Sequence, residues 1–440
     1  MDILIKIAQL FLCFTILVGI HELGHFLMAR AFKIRVEKFY IFFDPWFSLF
    51  KFKRGDTEYG LGWLPLGGYV KIAGMIDESM DKEQMKQPVK PDEFRAKPAW
   101  QRLLVMVAGV MMNVLLAIVI YCAVCYTWGD SYFSNQDAKW GYNFNPTAHE
   151  MGFRDGDRFV SIDGEEIDNV MRVQNDLLIT DGGRRVIVER GGEPVTLDIP
   201  FESLLRMRQE KAYEDLFTLR LPFIVDSVSY PSAVEAGLES GDEVVAIDDL
   251  RDADYPRYRD YLQKHKNDKV LLTVRRDGAL IDSLALPVDA EGRIGVTVTN
   301  PYSLRTQYYT FWESIPAGIH KAGKTISSYW DQLKLIVQPK TKMYEELGGF
   351  VAIGSIFPSS WDWHDFWLKT AFLSIILAVM NLLPIPGLDG GHALFTLWEI
   401  ITRRKPSEKF LEVAQYVGLM IILALLVYAN GNDIYRFFIK

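Results

Sequence analysis

The stretch Ile7-Ala8-Gln9-Leu10-Phe11-Leu12-Cys13-Phe14-Thr15-Ile16-Leu17-Val18-Gly19-Ile20-His21-Glu22-Leu23-Gly24-His25 is an apolar run that ends in two histidines and a glutamate. In a helix, one turn separates His21 from His25, so both imidazoles leave the same face and can share one metal ion, with Glu22 beside them. Arg30, Lys33 and Arg35 follow and prefer headgroups and water to acyl chains. At 1.5 Å of rise per residue, Glu22 lies roughly 12 Å deeper along the helix axis than Arg30. Ionisable groups at that depth cost about 2.5–3.5 kcal/mol each on insertion scales and persist where a function needs them. The run therefore reads as a first membrane crossing that carries a metal motif, and no small-x-small cleavage site marks it as a signal peptide.

Working outward, the 440 residues are 49% hydrophobic yet 24% charged, so lipid-embedded and water-exposed parts alternate. A net charge of −8 gives no reason to expect nucleic acid. The cysteines Cys13, Cys122 and Cys125 all fall in apolar runs, where a thiol behaves as a small hydrophobe. Four apolar stretches, about residues 4–29, 103–127, 367–388 and 413–430, reach the roughly twenty residues a crossing requires. Basic clusters at Arg30–Lys38, Lys51–Arg54, Arg95–Arg102 and Arg403–Lys405 put the loops between spans one and two, and three and four, on the cytoplasmic side. Both termini and the long middle stretch are then outside.

That middle stretch contains a duplication. Pro146-Thr147-Ala148 through Gly152-Phe153-Arg154-Asp155-Gly156-Asp157 and Ile162-Asp163 recurs about 85 residues later as Pro231-Ser232-Ala233 through Gly237-Leu238-Glu239-Ser240-Gly241-Asp242 and Ile247-Asp248. Each copy predicts a short helix ending at glycine, a Gly-Asp turn and a strand, followed by a strand-turn-strand over Val186–Ile199 or Leu271–Leu286. The pattern resembles PDZ domains, which offer a sheet edge to extended peptides, although a duplicated β fold also serves as a passive spacer. Beyond it, Tyr309–Val337 sets Trp312, Ile315, Ile319, Ile326 and Trp330 against Lys321, Lys324 and Lys334, which suits a helix on the outer membrane surface or one packed on the repeats.

A catalytic zinc site needs a third protein ligand and a position for water. The third span ends in Met380-Asn381-Leu382-Leu383-Pro384-Ile385-Pro386-Gly387-Leu388-Asp389-Gly390-Gly391-His392, where Asp389 is the carboxylate that elimination favours; His392 competes. Pro384, Pro386 and Gly387 break the helix there, and unwound backbone at membrane depth lines a wet cavity or is buried by protein. Zinc suits two imidazoles and a carboxylate, which leaves Glu22 as general base. Asn381 fits a donor to the oxyanion or a substrate clamp, and Asn113 in span two fits either such a donor or a helix-to-helix hydrogen bond. Because a helical substrate hides its carbonyls, an extended capture site is needed. Thr57–Gly62 followed by Gly67-Gly68-Tyr69-Val70-Lys71-Ile72-Ala73-Gly74 reads as a hairpin at the cytoplasmic interface, able to supply one or to be purely structural.

These motifs, in this order and over essentially the whole chain, resemble the site-2 proteases, specifically the Gram-negative type with tandem PDZ domains. The resemblance implies a multi-domain membrane protein in which a core of four transmembrane helices forms a zinc protease with a membrane-reentrant β-hairpin, joined to two periplasmic α+β/β PDZ domains. Residues 1–127 would hold spans one and two with the hairpin, 128–221 and 222–304 the PDZ domains, 305–365 amphipathic periplasmic helices, and 366–440 spans three and four. One Zn2+ would be held by His21, His25 and Asp389, with Glu22 as base, Asn381 contacting substrate and Gly68–Gly74 pairing with it. Implied partners are membrane lipids and single-span substrates, an anti-sigma factor or signal-peptide remnants, with the PDZ domains taking peptide C-termini or excluding bulk; the protease would be a monomer in the bacterial inner membrane. Two departures stand out: Ala108-Gly109-Val110-Met111-Met112-Asn113-Val114 and Gly349-Phe350 lack the Gly-Pro usual in the family. A catalytically dead PDZ-bearing scaffold, and a membrane protease cutting outside the bilayer, are the alternatives.

Overall fold

The computed structural model describes residues 2–64, 67–75, 88–213, 215–251 and 254–436. The chain divides into two compact units, Met1–Asp130 with Gln307–Lys440, and Ser131–Thr306.

Among the described residues of the first unit four helices are long and apolar enough to cross a membrane: Asp2–Ala31, Ala99–Trp128, Trp363–Leu382 and Lys409–Ile434. The second is central, with the first and third packed against it. Gln9, buried in the first span, donates from Nε2 to Pro358 O at 2.9 Å, ahead of the third. Asp362 caps the third span by accepting from His364 N and Asp365 N. That span stops at Leu382, six residues before the boundary expected from hydropathy, because Pro384 cannot continue the helix. After Leu383–Leu388 the chain starts a new helix, Asp389–Thr402, which the sequence did not announce as an element. Arg102 Nη2 donates to Glu399 Oε1 at 2.5 Å and ties this helix to the second span.

Between the first two spans lies a four-stranded sheet of β1 (Val36–Ile41), β2 (Phe50–Arg54), β3 (Thr57–Leu61) and β4 (Tyr69–Ile72), in the order β2-β3-β1-β4. The hairpin expected between 57–62 and 67–74 does not form. β3 pairs antiparallel with β2 and parallel with β1, while β4 pairs antiparallel with β1, placing Tyr69 opposite Tyr40. β1 thus takes the place between β3 and β4. Among the described residues β4 is an edge strand.

The helix Phe311–Val337 begins with a capping box between Thr310 and Glu313. It packs against the last turns of the second span, a partner the sequence reading did not name. Ala322 is buried in a cluster with Ala117, Ile120 and Tyr121, and Tyr121 Oη lies 3.3 Å from Thr325 Oγ1. Its small residues make that close approach possible, a feature hidden beneath the stronger aromatic and lysine pattern. The segment around the Gly-Pro departure at Gly349-Phe350 is clamped by the fourth span: buried Asp433 accepts through Oδ2 from Val351 N and Ala352 N at 2.9 and 3.0 Å, and Asn430 Oδ1 accepts from Phe350 N.

The second unit has two halves built alike. In the first, strands Glu193–Ile199, Arg184–Arg190, Arg158–Ile162 and Glu165–Glu166 form a sheet in that order; in the second, Ala279–Pro287, Lys269–Arg276, Glu243–Ile247, Phe223–Val228 and Val296–Val298 do. The repeated Gly-Asp has a structural task that its turn character did not disclose. Asp157 is fully buried and takes a bidentate pair from Arg190 at 2.7 Å each, while Arg190 Nη2 also donates to Gly152 O. Asp242 and Arg276 repeat this at 2.6 and 2.7 Å, with Arg276 Nη2 on Gly237 O. Asp163 and Asp248 likewise accept a strand N–H at 2.8 Å, from Arg185 and Leu271.

Candidate metal centre

His21 and His25 share the buried face of the first span, with ring centroids 4.8 Å apart in an edge-on arrangement. Across from them stands Asp389, brought there by the broken stretch Leu383–Leu388, where Gly387 takes a positive φ of 102°. Asp389 Oδ2 is 3.1 Å from His21 Nε2 and 3.2 Å from His25 Nε2, and the two Nε2 atoms are 3.2 Å apart. Tetrahedral coordination with bonds of about 2.0 Å separates neighbouring ligand atoms by about 3.3 Å. The three atoms therefore form one face of such a tetrahedron, and the remaining vertex is left for water or substrate.

The second span is the wall behind this face. His25 Nδ1 is 2.8 Å from Val105 O, which fixes the tautomer that leaves Nε2 bare. Gly109 allows the approach: a Cβ there would lie 2.4 Å from His25 Nε2 and 2.7 Å from His21 Cε1. Asn113, fully buried, reaches His21 Nδ1 at 3.2 Å. On the open side Asn381 Nδ2 is 3.4 Å from His21 Nε2.

The profile of Peptidase family M50 matches residues 9–425. The chain belongs to this family. It is 30% identical to a candidate zinc metalloprotease of Clostridium perfringens over 96% of each chain. It is also 27% identical to the regulator of sigma E protease of Haemophilus influenzae, over 99% of this chain and all of the relative. A candidate zinc metalloprotease of Vibrio cholerae is 29% identical over 99% of both. This M50 peptidase is a zinc metalloprotease with a membrane core.

The residues present fit zinc. Asp389 Oδ2 is buried without a hydrogen-bond partner, an arrangement costly for a carboxylate unless a cation completes it. Two neutral imidazoles and a carboxylate are also a hydrolytic zinc donor set.

A cavity of about 730 Å³ opens beside the three groups, lined by Glu22, β4, Asn381 and Asp389 among others. Glu22 is on the wall of this cavity rather than in the triangle of donor atoms. Gly68 brings the loop onto the first span: a Cβ there would lie 2.8 Å from Val18 Cγ1 and 3.3 Å from Glu22 Cγ. Tyr69 is anchored, its ring stacked on Tyr40 and Phe43 and its hydroxyl donating to Asp44 Oδ1 at 2.9 Å. Val70, Lys71 and Ile72 line the same cavity; Ala73 is buried, donates its N–H to Arg35 O at 2.9 Å and with Gly74 closes the strand. His392 also lines the cavity but stands outside the triangle. Sequence reasoning did not assign Val105 O, Gly109 or Gln415 to the site. Gln415 is a buried amide in the fourth span that lines the cavity, and an amide near the start of an apolar span was its available signal.

Proposed function

We propose that this M50 peptidase hydrolyses peptide bonds within the transmembrane segments of single-span proteins, with His21, His25 and Asp389 holding one zinc ion. The observation that carries the reading is the triangle of three donor atoms, 3.1–3.2 Å on a side, set among apolar helices beside a cavity lined by β4. When bound, zinc supplies Lewis acidity, making water a stronger acid and polarising the scissile carbonyl. Glu22 then accepts the proton of the attacking water and passes it to the departing amine. Asn381, on the open side, donates from Nδ2 to the carbonyl oxygen as negative charge builds on it.

β4 supports the substrate assignment. A transmembrane helix must unwind before a carbonyl can be attacked, and an added strand along Gly68–Gly74 would replace the lost helical hydrogen bonds with sheet bonds. The loop before β2 exposes Trp46 and Phe47, and β2 exposes Phe50 and Phe52 next to Lys51 and Lys53, the composition of an element that dips into the headgroup region. The basic loops favour a bacterial inner-membrane placement with the zinc toward the cytoplasm and the repeats periplasmic, acting as PDZ domains that admit peptide C-termini or exclude bulky chains. The relative named regulator of sigma E protease supports an anti-sigma factor as substrate, with signal-peptide remnants as a second class.

The purified protein in detergent with zinc should cut a transmembrane peptide, and o-phenanthroline should stop it. Glu22→Gln should retain zinc and lose activity by about 10²–10⁴-fold. Cleavage unchanged in that variant would exclude Glu22 as the base. Cleavage restricted to soluble peptides would favour a protease acting outside the bilayer, and none at all would favour the scaffold.

A further inference from the structure

We propose that Asn113 is a positioning residue for the metal: its side-chain oxygen accepts a hydrogen bond from His21 Nδ1–H and thereby keeps Nε2 unprotonated and turned toward Asp389. The inference rests on the reading of His21, His25 and Asp389 as zinc ligands.

A neutral imidazole carries a proton on one nitrogen and a lone pair on the other. His21 Nε2 is the atom 3.1 Å from Asp389 Oδ2 and 3.2 Å from His25 Nε2, so it is the nitrogen offered to the metal and must be bare. The proton then belongs on Nδ1, inside a helix bundle where an unpaired N–H costs about 1–3 kcal/mol. The Asn113 amide, fully buried, lies 3.2 Å from it. With Nδ2 toward the ring, the amide would set a donor against a donor, while Oδ1 sits buried without a partner. The two ends of an amide have the same shape, and half a turn places Oδ1 against Nδ1–H.

His25 meets the same requirement with the main chain, through Val105 O at 2.8 Å. Val105 and Asn113 are two turns apart on the second span, so one helix supplies an acceptor to each ring. The Asn113 acceptor is a side chain and can be removed. Its main-chain oxygen separately accepts from Ser374 Oγ at 2.8 Å, a bond that does not depend on the side chain.

The test measures zinc affinity of the full chain in detergent by competition with a chelator, alongside the melting temperature of the metal-free protein. Asn113→Leu should weaken zinc binding 10- to 100-fold, and Asn113→Asp, with oxygen at both ends, should bind within about threefold of the parent or tighter. Ser374→Ala, which loosens packing at the same residue, should leave the affinity unchanged. The proposal is overturned if folded Asn113→Leu binds zinc like the parent, or if folded Asn113→Asp loses zinc. It is also overturned if Ser374→Ala weakens zinc as much as Asn113→Leu, since packing alone would then account for the loss. His25→Ala checks the ligand reading separately: unchanged affinity in that variant would refute the ligand set without reference to Asn113.

Discussion

Glu22 and Asp389 are both carboxylates beside the same two imidazoles, yet their geometry separates their work. Glu22 follows His21 directly, so the helix turns its side chain away from the shared face and onto the wall of the cavity. Asp389 comes from across the bundle and points an oxygen between both rings. Gly109 is as demanding a position as either, because a single added carbon would occupy space already held by the His25 ring nitrogen. Gly109→Ala should therefore displace the imidazole and weaken zinc binding by about 10-fold or more, read by chelator competition. Unchanged affinity would mean that the first and second spans can separate at no cost.

At the scale of elements, β4 is the part whose position matters most. Among the described residues it is an edge strand along the cavity, with one set of backbone groups committed to β1. Val70→Pro removes one N–H and fits poorly in a ladder. It should lower kcat/KM on a transmembrane peptide by about tenfold, the worth of one or two backbone hydrogen bonds, without changing zinc content. A loss of zinc in that variant would show that β4 supports the metal site rather than the substrate. The helix Asp389–Thr402 is a second decisive element, since its first residue is the carboxylate at the site and its Glu399 is paired with Arg102.

For the whole molecule, the two units should respond differently to acid. Burial pushes the Asp242 carboxyl up, but the Arg276 guanidinium and the Glu239 N–H outweigh that and hold it below its usual range. A carboxyl lowered in the folded state contributes stability that is fully present above the ordinary value of about 4 and is lost as pH falls through the folded value. The melting transition of the Ser131–Thr306 unit should then drop on acidification below about pH 4. Asp242→Asn should lower that transition by roughly 5–10 °C at neutral pH, the scale expected when one partner of a buried pair is removed. Calorimetry of the full chain in detergent reads both effects, and a transition in Asp242→Asn matching the parent would show that the pair carries no stability.

The sequence by itself determined the four spans, the duplication and the residues that meet at the centre. Those conclusions rest on local rules: a helical turn aligns His21 with His25, apolar length marks a crossing, and membrane depth makes Asp389 conspicuous. Only the tertiary structure decided which strand lies beside β4, where Phe311–Val337 packs, that Arg190 and Arg276 hold the repeated aspartates, and that Val105 O, Gly109 and Asn113 back the imidazoles. Each of these joins segments far apart in the chain, and side-chain periodicity says which face of an element is apolar but not which partner will cover it. Neighbouring strands with glycines between them suggest a hairpin, yet β1 pairs with both β3 and β4, because strand partners are chosen by how the whole sheet packs rather than by nearness along the chain.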